Sequence, residues 1–232
     1  MPHVSTRYRA LLAAPAGEQV AEDAVVFLKK NATAKFDETV EAAIRLNLEK
    51  RHNIRDTVTF PNAFGKQAKV LVFAKGKKAE DARAAGADFV GDDELIEKIA
   101  GGWTDFDVAI ATPDMMKSIA KVARVLGTKG LMPNPKAKTV TEAVLETVKE
   151  VKSGRREFRA DSTGIVAFPI GKVSMSEEQL VQNFRALWDA VVKKKPSDLK
   201  GDYIRTVHMA TSMGKGVELN RKNPIRTAAT AA

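Results

Sequence analysis

The sequence has no cysteine and only three histidines, and these shortages exclude several kinds of site. Without cysteine there is no disulfide scaffold, no thiolate-bound zinc or iron–sulfur centre, and no thiol nucleophile. The histidines, His3, His52 and His208, are too few and too scattered to predict a multi-histidine metal centre. We therefore expect neither a metal ion nor a cofactor.

Long apolar runs are also missing. No run approaches the roughly 20 residues of a membrane span, and the opening stretch MPHVSTRYRALLAA lacks the long apolar core of a signal peptide. We expect a mature cytoplasmic protein with no membrane partner.

The usual motifs of nucleotide binding and catalysis do not occur. GxGxxG, GxxxxGK[ST], GxSxG and HExxH are all absent, and the loop Ala74–Lys78 carries a single glycine. The sequence thus predicts no catalytic residue. An α/β enzyme that binds a phosphorylated ligand at its strand ends stays open as an alternative.

The overall composition is that of a basic globular protein. The 232 residues are 44% hydrophobic and 29% charged, enough for one large domain or two ordinary ones. Lys and Arg number 38 against 29 Asp and Glu, a formal net charge of +9. This surplus favours a polyanionic partner, most often a nucleic acid.

The middle of the chain alternates between strand and helix patterns. Val70–Phe73 is a wholly apolar run, as expected for a parallel strand covered on both faces. Further strands are predicted at residues 89–90 and 107–111. Helices are predicted at residues 79–87, 94–100 (capped by Asp92 and Asp93), 113–127 (capped by Thr112) and 141–152. This alternation predicts a doubly wound, Rossmann-like α/β domain.

Both flanks have the pattern of an α+β domain with an antiparallel sheet. Helices are predicted at residues 18–30 and 176–195, the second capped by Ser176, and strands at 57–61 and 203–209. Residues 158–170 read as a hairpin turning at 161–164, whereas 36–48 fits helix and strand equally. Neither flank has enough strands alone, so we expect one discontinuous domain, 1–67 and 158–232, carrying residues 68–157 as an insertion.

The charge is unevenly divided between these domains. Residues 68–157 hold 16 Lys and Arg against 14 Asp and Glu, whereas the remainder holds 22 against 15. A nucleic-acid surface is therefore predicted on the discontinuous domain.

Three segments of that domain have side chains suited to RNA, and each has a plainer explanation. Lys35–Thr39 places a cation beside an aromatic ring, or is a core Phe beside a solvated Lys. Arg156–Asp161 offers arginines for phosphate, or is a salt-bridged edge strand. Thr211–Gly216 combines hydroxyls and glycines that allow close approach to a ribose-phosphate backbone, or is an ordinary turn.

Residues Gly130–Lys136 read GLMPNPK, a rigid heptapeptide that resembles the signature of the ribosomal protein L-one family. Other segments agree with the family in the same order, over roughly residues 6 to 220: KFDETV at 35–40, ADFVG at 87–91, FDVAIATPD at 106–114, FRAD at 158–161 and SMG at 212–214. Two residues and one five-residue segment depart from the family pattern. Ser212 stands where Thr is usual, Lys215 where Pro or Ala is common, and Asn62–Lys66 where the family has His-Gly-Thr-Gly-Lys.

The resemblance implies a two-domain, non-enzymatic protein of the large ribosomal subunit. It would bind 23S rRNA, form the mobile stalk beside the tRNA exit site, assist the release of deacylated tRNA, and repress translation by binding its own mRNA leader. It also implies that residues 36–48 form a strand. Carried over by position, the RNA-binding residues are Lys35, Phe36, Thr39, Arg159, Asp161, Thr163, Lys172, Thr211, Ser212, Met213, Gly214, Lys215 and Gly216.

Overall fold

The computed structural model describes residues 17–49, 52 and 54–226, and these form two compact units. One unit comprises the described residues up to Ile54, residues 60–65, and the described residues from Phe158 onward. The other comprises Arg55–Thr59 and Lys66–Glu157. The predicted bounds, 1–67 with 158–232 and 68–157, differ in placing residues 55–59 and 66–67 with the flanks. The functional division into domains stays a prediction.

The first unit is built on a four-stranded antiparallel sheet. Its strands are β1 (Thr39–Leu46), β7 (Ile165–Lys172), β8 (Ile204–Thr211) and β9 (Val217–Leu219), in the order β7-β1-β8-β9. Strand β1, from the first flank, lies between two strands from the second. The expectation that the two flanks share one sheet is therefore confirmed, and the ambiguous segment is a strand.

Two helices cover one face of this sheet, α1 (Ala21–Asn31) and α7 (Glu177–Lys193). Alternate residues of β1 point inward, as period-two alternation requires, and Val40, Ala42 and Ile44 are at most 1% exposed. Ser176 caps α7 as predicted: its hydroxyl accepts from the Gln179 N–H at 3.2 Å, and the Gln179 side chain accepts from the Ser176 N–H at 3.1 Å.

The second unit contains a three-stranded parallel sheet, formed by β3 (Val70–Phe73), β4 (Phe89–Gly91) and β5 (Val108–Ala111) in the order β4-β3-β5. All four residues of β3 are fully buried, and alternate residues join different cores. Leu71 and Phe73 pack with the residues of one face, and Val70 and Val72 with those of the other. The predicted fold class, an α+β part with an inserted doubly wound α/β part, is confirmed.

Helices lie on both faces of the parallel sheet. One face is covered by α2 (Lys77–Ala84) and α6 (Val144–Lys152), and the other by α3 (Asp93–Ala100), α4 (Met116–Ile119) and α5 (Ala123–Thr128). No helix among the described residues is long and apolar enough to cross a membrane.

The predicted hairpin at residues 158–170 is wrong. Its two strands belong to different sheets: β6 (Arg155–Arg159) pairs with β2 (Arg55–Thr59), whereas β7 pairs with β1. Residues 161–164 do form a turn, with Gly164 at φ +80°. After this turn β7 pairs with β1 instead, over seven Cα partners from Thr39 to Arg45.

Residues 113–127 are helical as predicted, but they do not form one α-helix. A 3₁₀ turn opens it at Pro113–Met115, and a second at Ala120–Val122 separates α4 from α5. Val122 leaves the helical region, at φ −108° and ψ 8°. The predicted caps Asp92 and Thr112 make no capping hydrogen bond through their side chains.

The GLMPNPK segment has a structural role within the second unit. The Asn134 carboxamide accepts from the Lys136 N–H at 2.8 Å, and the Thr139 hydroxyl accepts from the Asn134 N–H at 2.8 Å. Next to these bonds, Lys138 adopts a left-handed conformation at φ +52°. The segment is a closed, internally bonded turn, which agrees with its rigid sequence.

Candidate nucleic-acid interface

Most of the predicted site residues lie at one end of the four-stranded sheet, which we call the Thr39 end. The register places Thr39 of β1 opposite Lys172 of β7, and Val40 opposite Thr211 of β8. Three segments that are far apart in sequence therefore meet there: 35–39, 172–174 and 211–216. Each begins or continues a strand, so the sheet fixes their spacing.

The loop after β8 is attached to the start of β1 by two hydrogen bonds between Ser212 and Thr39. The Ser212 N–H donates to the Thr39 carbonyl at 3.1 Å, and the Ser212 hydroxyl accepts from the Thr39 N–H at 3.1 Å. The Gly214 N–H closes the loop on the Thr211 carbonyl at 3.1 Å. A Cβ on Gly214 would lie 2.3 Å from the Thr211 hydroxyl oxygen, so a larger residue here would force the Thr211 side chain or the loop to shift.

A buried carboxylate, Glu38, joins the same segments, and it was not among the predicted site residues. It is 2% exposed, and its two oxygens accept from the Ala34 N–H at 3.1 Å and the Met213 N–H at 3.0 Å. The strand pattern does contain the signal: Glu38 precedes Val40, Ala42 and Ile44 at the spacing of the inward face, so it points inward.

The second segment is tied to the first by side chains. The Lys172 ammonium donates to the Thr39 hydroxyl at 2.8 Å and to the Asp37 carbonyl at 3.3 Å. The Asp37 carboxylate accepts from the Ser174 N–H at 3.1 Å and the Ser174 hydroxyl at 2.9 Å. The whole end of the sheet is thus cross-linked by hydrogen bonds.

Two large apolar side chains are exposed on this framework. Phe36 is 57% and Met213 53% exposed, the two highest values among the large hydrophobic residues described. Lys35, Lys215 and Gly216 are also exposed, and no ion pair holds either lysine within the described part of the chain. Apolar surface beside free cations is suited to a partner that carries both rings and phosphates.

An open hollow of about 320 Å³ lies beside Phe36. It is lined by Ala32, Ala34, Phe36, Asp37, Glu38, Val173 and Ser174. The hollow is formed by the same cross-linked segments, so its walls are held in place.

Three predicted site residues lie elsewhere. Arg159 ends β6, and Asp161 and Thr163 form the turn before β7. The register places Ile165 opposite Arg45, six residues along β1 from Thr39. At about 3.4 Å per residue, that is about 20 Å from the Thr39 end. The structure does not bring these residues together with the others.

Asp161 is engaged in the turn itself. One oxygen of its carboxylate accepts from the Ile165 N–H, the Thr163 N–H and the Thr163 hydroxyl, at 2.7 to 2.8 Å. These bonds, the one from Ile165 first, lower the pKa of Asp161 below its usual value because they favour the charged form. The carboxylate stabilises the turn through these bonds.

The geometry can be compared with known proteins. A family model described as "Ribosomal protein L1p/L10e family" matches residues 28–215. The chain belongs to this family.

Curated relatives agree with this assignment. Large ribosomal subunit proteins uL1 from two strains of Borreliella burgdorferi are 49% identical over 199 residues, which is 86% of this chain and 88% of theirs. The uL1 protein of Borreliella afzelii is 47% identical over 198 residues, 85% of this chain and 88% of its own.

Membership confirms the family resemblance found in the sequence. As a member of a ribosomal protein family the protein is not an enzyme, so the alternative of a phosphorylated-ligand enzyme is excluded. The matched range includes the segments that build the Thr39 end, from Lys35 to Lys215.

Proposed function

We propose that this protein is a component of the large ribosomal subunit and binds 23S rRNA through the Thr39 end of its four-stranded sheet. One observation carries the proposal: exposed Phe36 and Met213 are presented beside free cations on a surface cross-linked by hydrogen bonds. The family and its relatives support a ribosomal partner.

Each part of the surface has a role in the proposed contact. Lys35, Lys172 and Lys215 interact with phosphates, and Phe36 and Met213 pack against ribose or base faces. The hydroxyls and the glycine backbone allow close approach to 2′-OH groups. Because the surface is preorganised, little conformational entropy is lost on binding.

The first experiment measures the affinity for a folded 23S rRNA fragment by filter binding. Met213→Ala truncates a side chain that is 53% exposed, and we expect the dissociation constant to rise about tenfold or more, since covering a Met side chain contributes about 1.5–3 kcal/mol. Val192→Ala is the matched control, because Val192 is 42% exposed on α7. Equal affinities for the two variants would refute the proposed interface.

Measuring RNA affinity at several salt concentrations tests the proposed lysine–phosphate contacts. Lys35→Ala should weaken binding to all RNA sequences similarly and reduce the magnitude of the slope of log K against log salt by about one. Lys193→Ala, an exposed lysine at the end of α7, should leave the slope unchanged. Binding that hardly changes with salt would contradict the mechanism.

We also propose that the same surface binds the mRNA leader of this protein and represses its translation. One surface serves both RNAs if the leader presents the same shape as the rRNA element. The two RNAs should then compete, and Met213→Ala should weaken both. Much tighter binding to the leader than to rRNA would contradict a mainly ribosomal role.

Finally, we propose that the protein forms the mobile stalk and assists the release of deacylated tRNA at the exit site. The hinge would be formed where the chain passes between the two units, at residues 54–55, 59–60, 65–66 and 157–158. Because the chain lacks cysteine, Lys98→Cys and Lys193→Cys, one in each unit, allow specific attachment of two dyes. Single-molecule energy transfer on ribosomes should show at least two states, redistributed by tRNA in the exit site. A single, tRNA-independent state would refute this role.

A further inference from the structure

We propose that Glu38 is a positioning residue for RNA binding: its buried carboxylate fixes Met213 relative to the Phe36 loop. The proposal rests on the function proposed above. Glu38 is 2% exposed, so it acts through the segments that it holds and does not itself reach a ligand on the surface.

The Glu38 carboxylate joins two loops of the Thr39 end. Its Oε1 accepts from the Ala34 N–H at 3.1 Å, and its Oε2 accepts from the Met213 N–H at 3.0 Å. Ala34 belongs to the loop that presents Lys35 and Phe36, and Met213 lies 175 residues from Glu38 in the sequence. One side chain therefore spans the two loops that carry the exposed apolar groups.

The main chain of Glu38 adds a third segment. Its carbonyl accepts from the Val173 N–H at 3.0 Å, in the stretch that follows Lys172. All three segments of the Thr39 end thus have a hydrogen bond to this one residue. Glu38 lies directly before β1, at the two-residue spacing of its inward face.

Neighbouring bonds do not replace the contact to Met213. Ser212 donates its N–H to Thr39 and Gly214 donates its N–H to Thr211, whereas the described acceptor of the Met213 N–H is Glu38. Both donors to the carboxyl group are backbone N–H groups, and each binds a different oxygen. The carboxylate is chemically suited to the task because two donors point at two acceptor oxygens.

The conservative variant Glu38→Gln separates this role from filling space. Gln has nearly the same volume, but its carboxamide has one oxygen and one NH₂ group. Only one of the two N–H groups, of Ala34 or of Met213, can then find an acceptor oxygen where Glu38 had two. An N–H facing an NH₂ group is repelled, and the loop that carries it moves away. Glu97→Gln, on an exposed position of α3, is the matched control.

The first measurement is amide hydrogen exchange by NMR on the free protein, with no RNA. In Glu38→Gln we expect exchange at Ala34 or Met213 to accelerate about tenfold or more. The Ser212 and Gly214 amides should change much less, because their acceptors are backbone carbonyls. Unchanged exchange at both Ala34 and Met213 would overturn the proposal.

The second measurement is RNA affinity as a function of salt. We expect Glu38→Gln to raise the dissociation constant for the 23S rRNA fragment about tenfold with an unchanged salt slope, because no phosphate contact is lost. Glu97→Gln should behave like the native protein. Faster exchange with native affinity would overturn the positioning role while leaving the rRNA function intact.

Failure of the function itself gives a different pattern. If Met213→Ala binds RNA as well as Val192→Ala, the interface is wrong, whatever the exchange data show. A lower affinity of Glu38→Gln with a changed salt slope would mean that Glu38 acts through its charge on the RNA, which would also overturn positioning.

Discussion

The two ends of the four-stranded sheet differ although the sequence assigned both to RNA. At the Thr39 end, Phe36 and Met213 are more than half exposed and the hydrogen bonds serve to hold the loops that carry them. At the other end, the polar groups of Asp161 and Thr163 bond to one another and to Ile165.

This difference shows how a binding surface can be told from a turn of similar composition. Both regions are rich in hydroxyl, charged and glycine residues, so composition does not separate them. What separates them is whether polar groups are satisfied within the loop and whether apolar side chains are left outside. By that criterion we propose the Thr39 end as the main RNA contact.

Among variants at the two ends of the sheet, we expect Gly214→Ala at the Thr39 end to change stability and RNA affinity most. The new Cβ would lie 2.3 Å from the Thr211 hydroxyl, which is buried and has no hydrogen-bond partner among the described residues. Overpacking of this kind costs about 1–3 kcal/mol, and RNA affinity should fall about tenfold or more as the loop shifts. Urea unfolding and filter binding measure the two effects.

Removing the colliding oxygen provides the control. In the double variant Thr211→Ala with Gly214→Ala, the nearest remaining atom of residue 211 is its Cβ, at 3.5 Å, an ordinary contact. The double variant should therefore be more stable than Gly214→Ala alone. If the single variant is as stable as the native protein, the turn geometry described here is incorrect.

Gly164→Ala should destabilise the protein by less and leave RNA binding unchanged. Gly164 has φ +80°, where other residues are strained by about 1–2 kcal/mol, and a Cβ would meet the Leu46 carbonyl oxygen at 3.0 Å. Urea unfolding and filter binding again provide the measurements. A tenfold loss of affinity with this variant would place RNA contact at both ends of the sheet.

The smallest expected effect is a pH dependence of folding stability that comes from Asp161. Because its pKa is lowered in the folded state, its contribution to stability is present above the unfolded pKa of about 4 and is lost as pH falls through the lowered value. Asp161→Asn keeps the acceptor oxygen but not the charge. Its melting temperature should be below that of the native protein at pH 7, and the two should converge as pH falls below the lowered pKa of Asp161.

The fold class could be predicted because the sequence patterns that indicate each helix and strand lie within that element. The apolar run at Val70–Phe73 and the capping box at Ser176 each report one element, and the shortage of strands in each flank forces them to share a sheet. Whether Asp161–Gly164 closes a hairpin depends on strand partners elsewhere in the chain. The local pattern was therefore correct for the turn and wrong for the pairing.

The candidate site was predictable only in part for the same reason. Family resemblance supplied the residue types, but the meeting of Lys35, Lys172 and Met213 at one place follows from the register of β1 with β7 and β8. Glu38 was not among the predicted site residues, although its two-residue spacing from Val40 on the inward face of β1 predicts burial.

NMR titration of the ¹⁵N-labelled protein with the 23S rRNA fragment tests whether RNA binds at the Thr39 end. The amide signals of Phe36, Thr39 and Ser212–Gly214 should shift or broaden on binding, whereas those of Asp161 and Thr163 should stay in place. Shifts confined to Asp161, Thr163 and Arg159, with Met213 unaffected, would contradict binding at the Thr39 end.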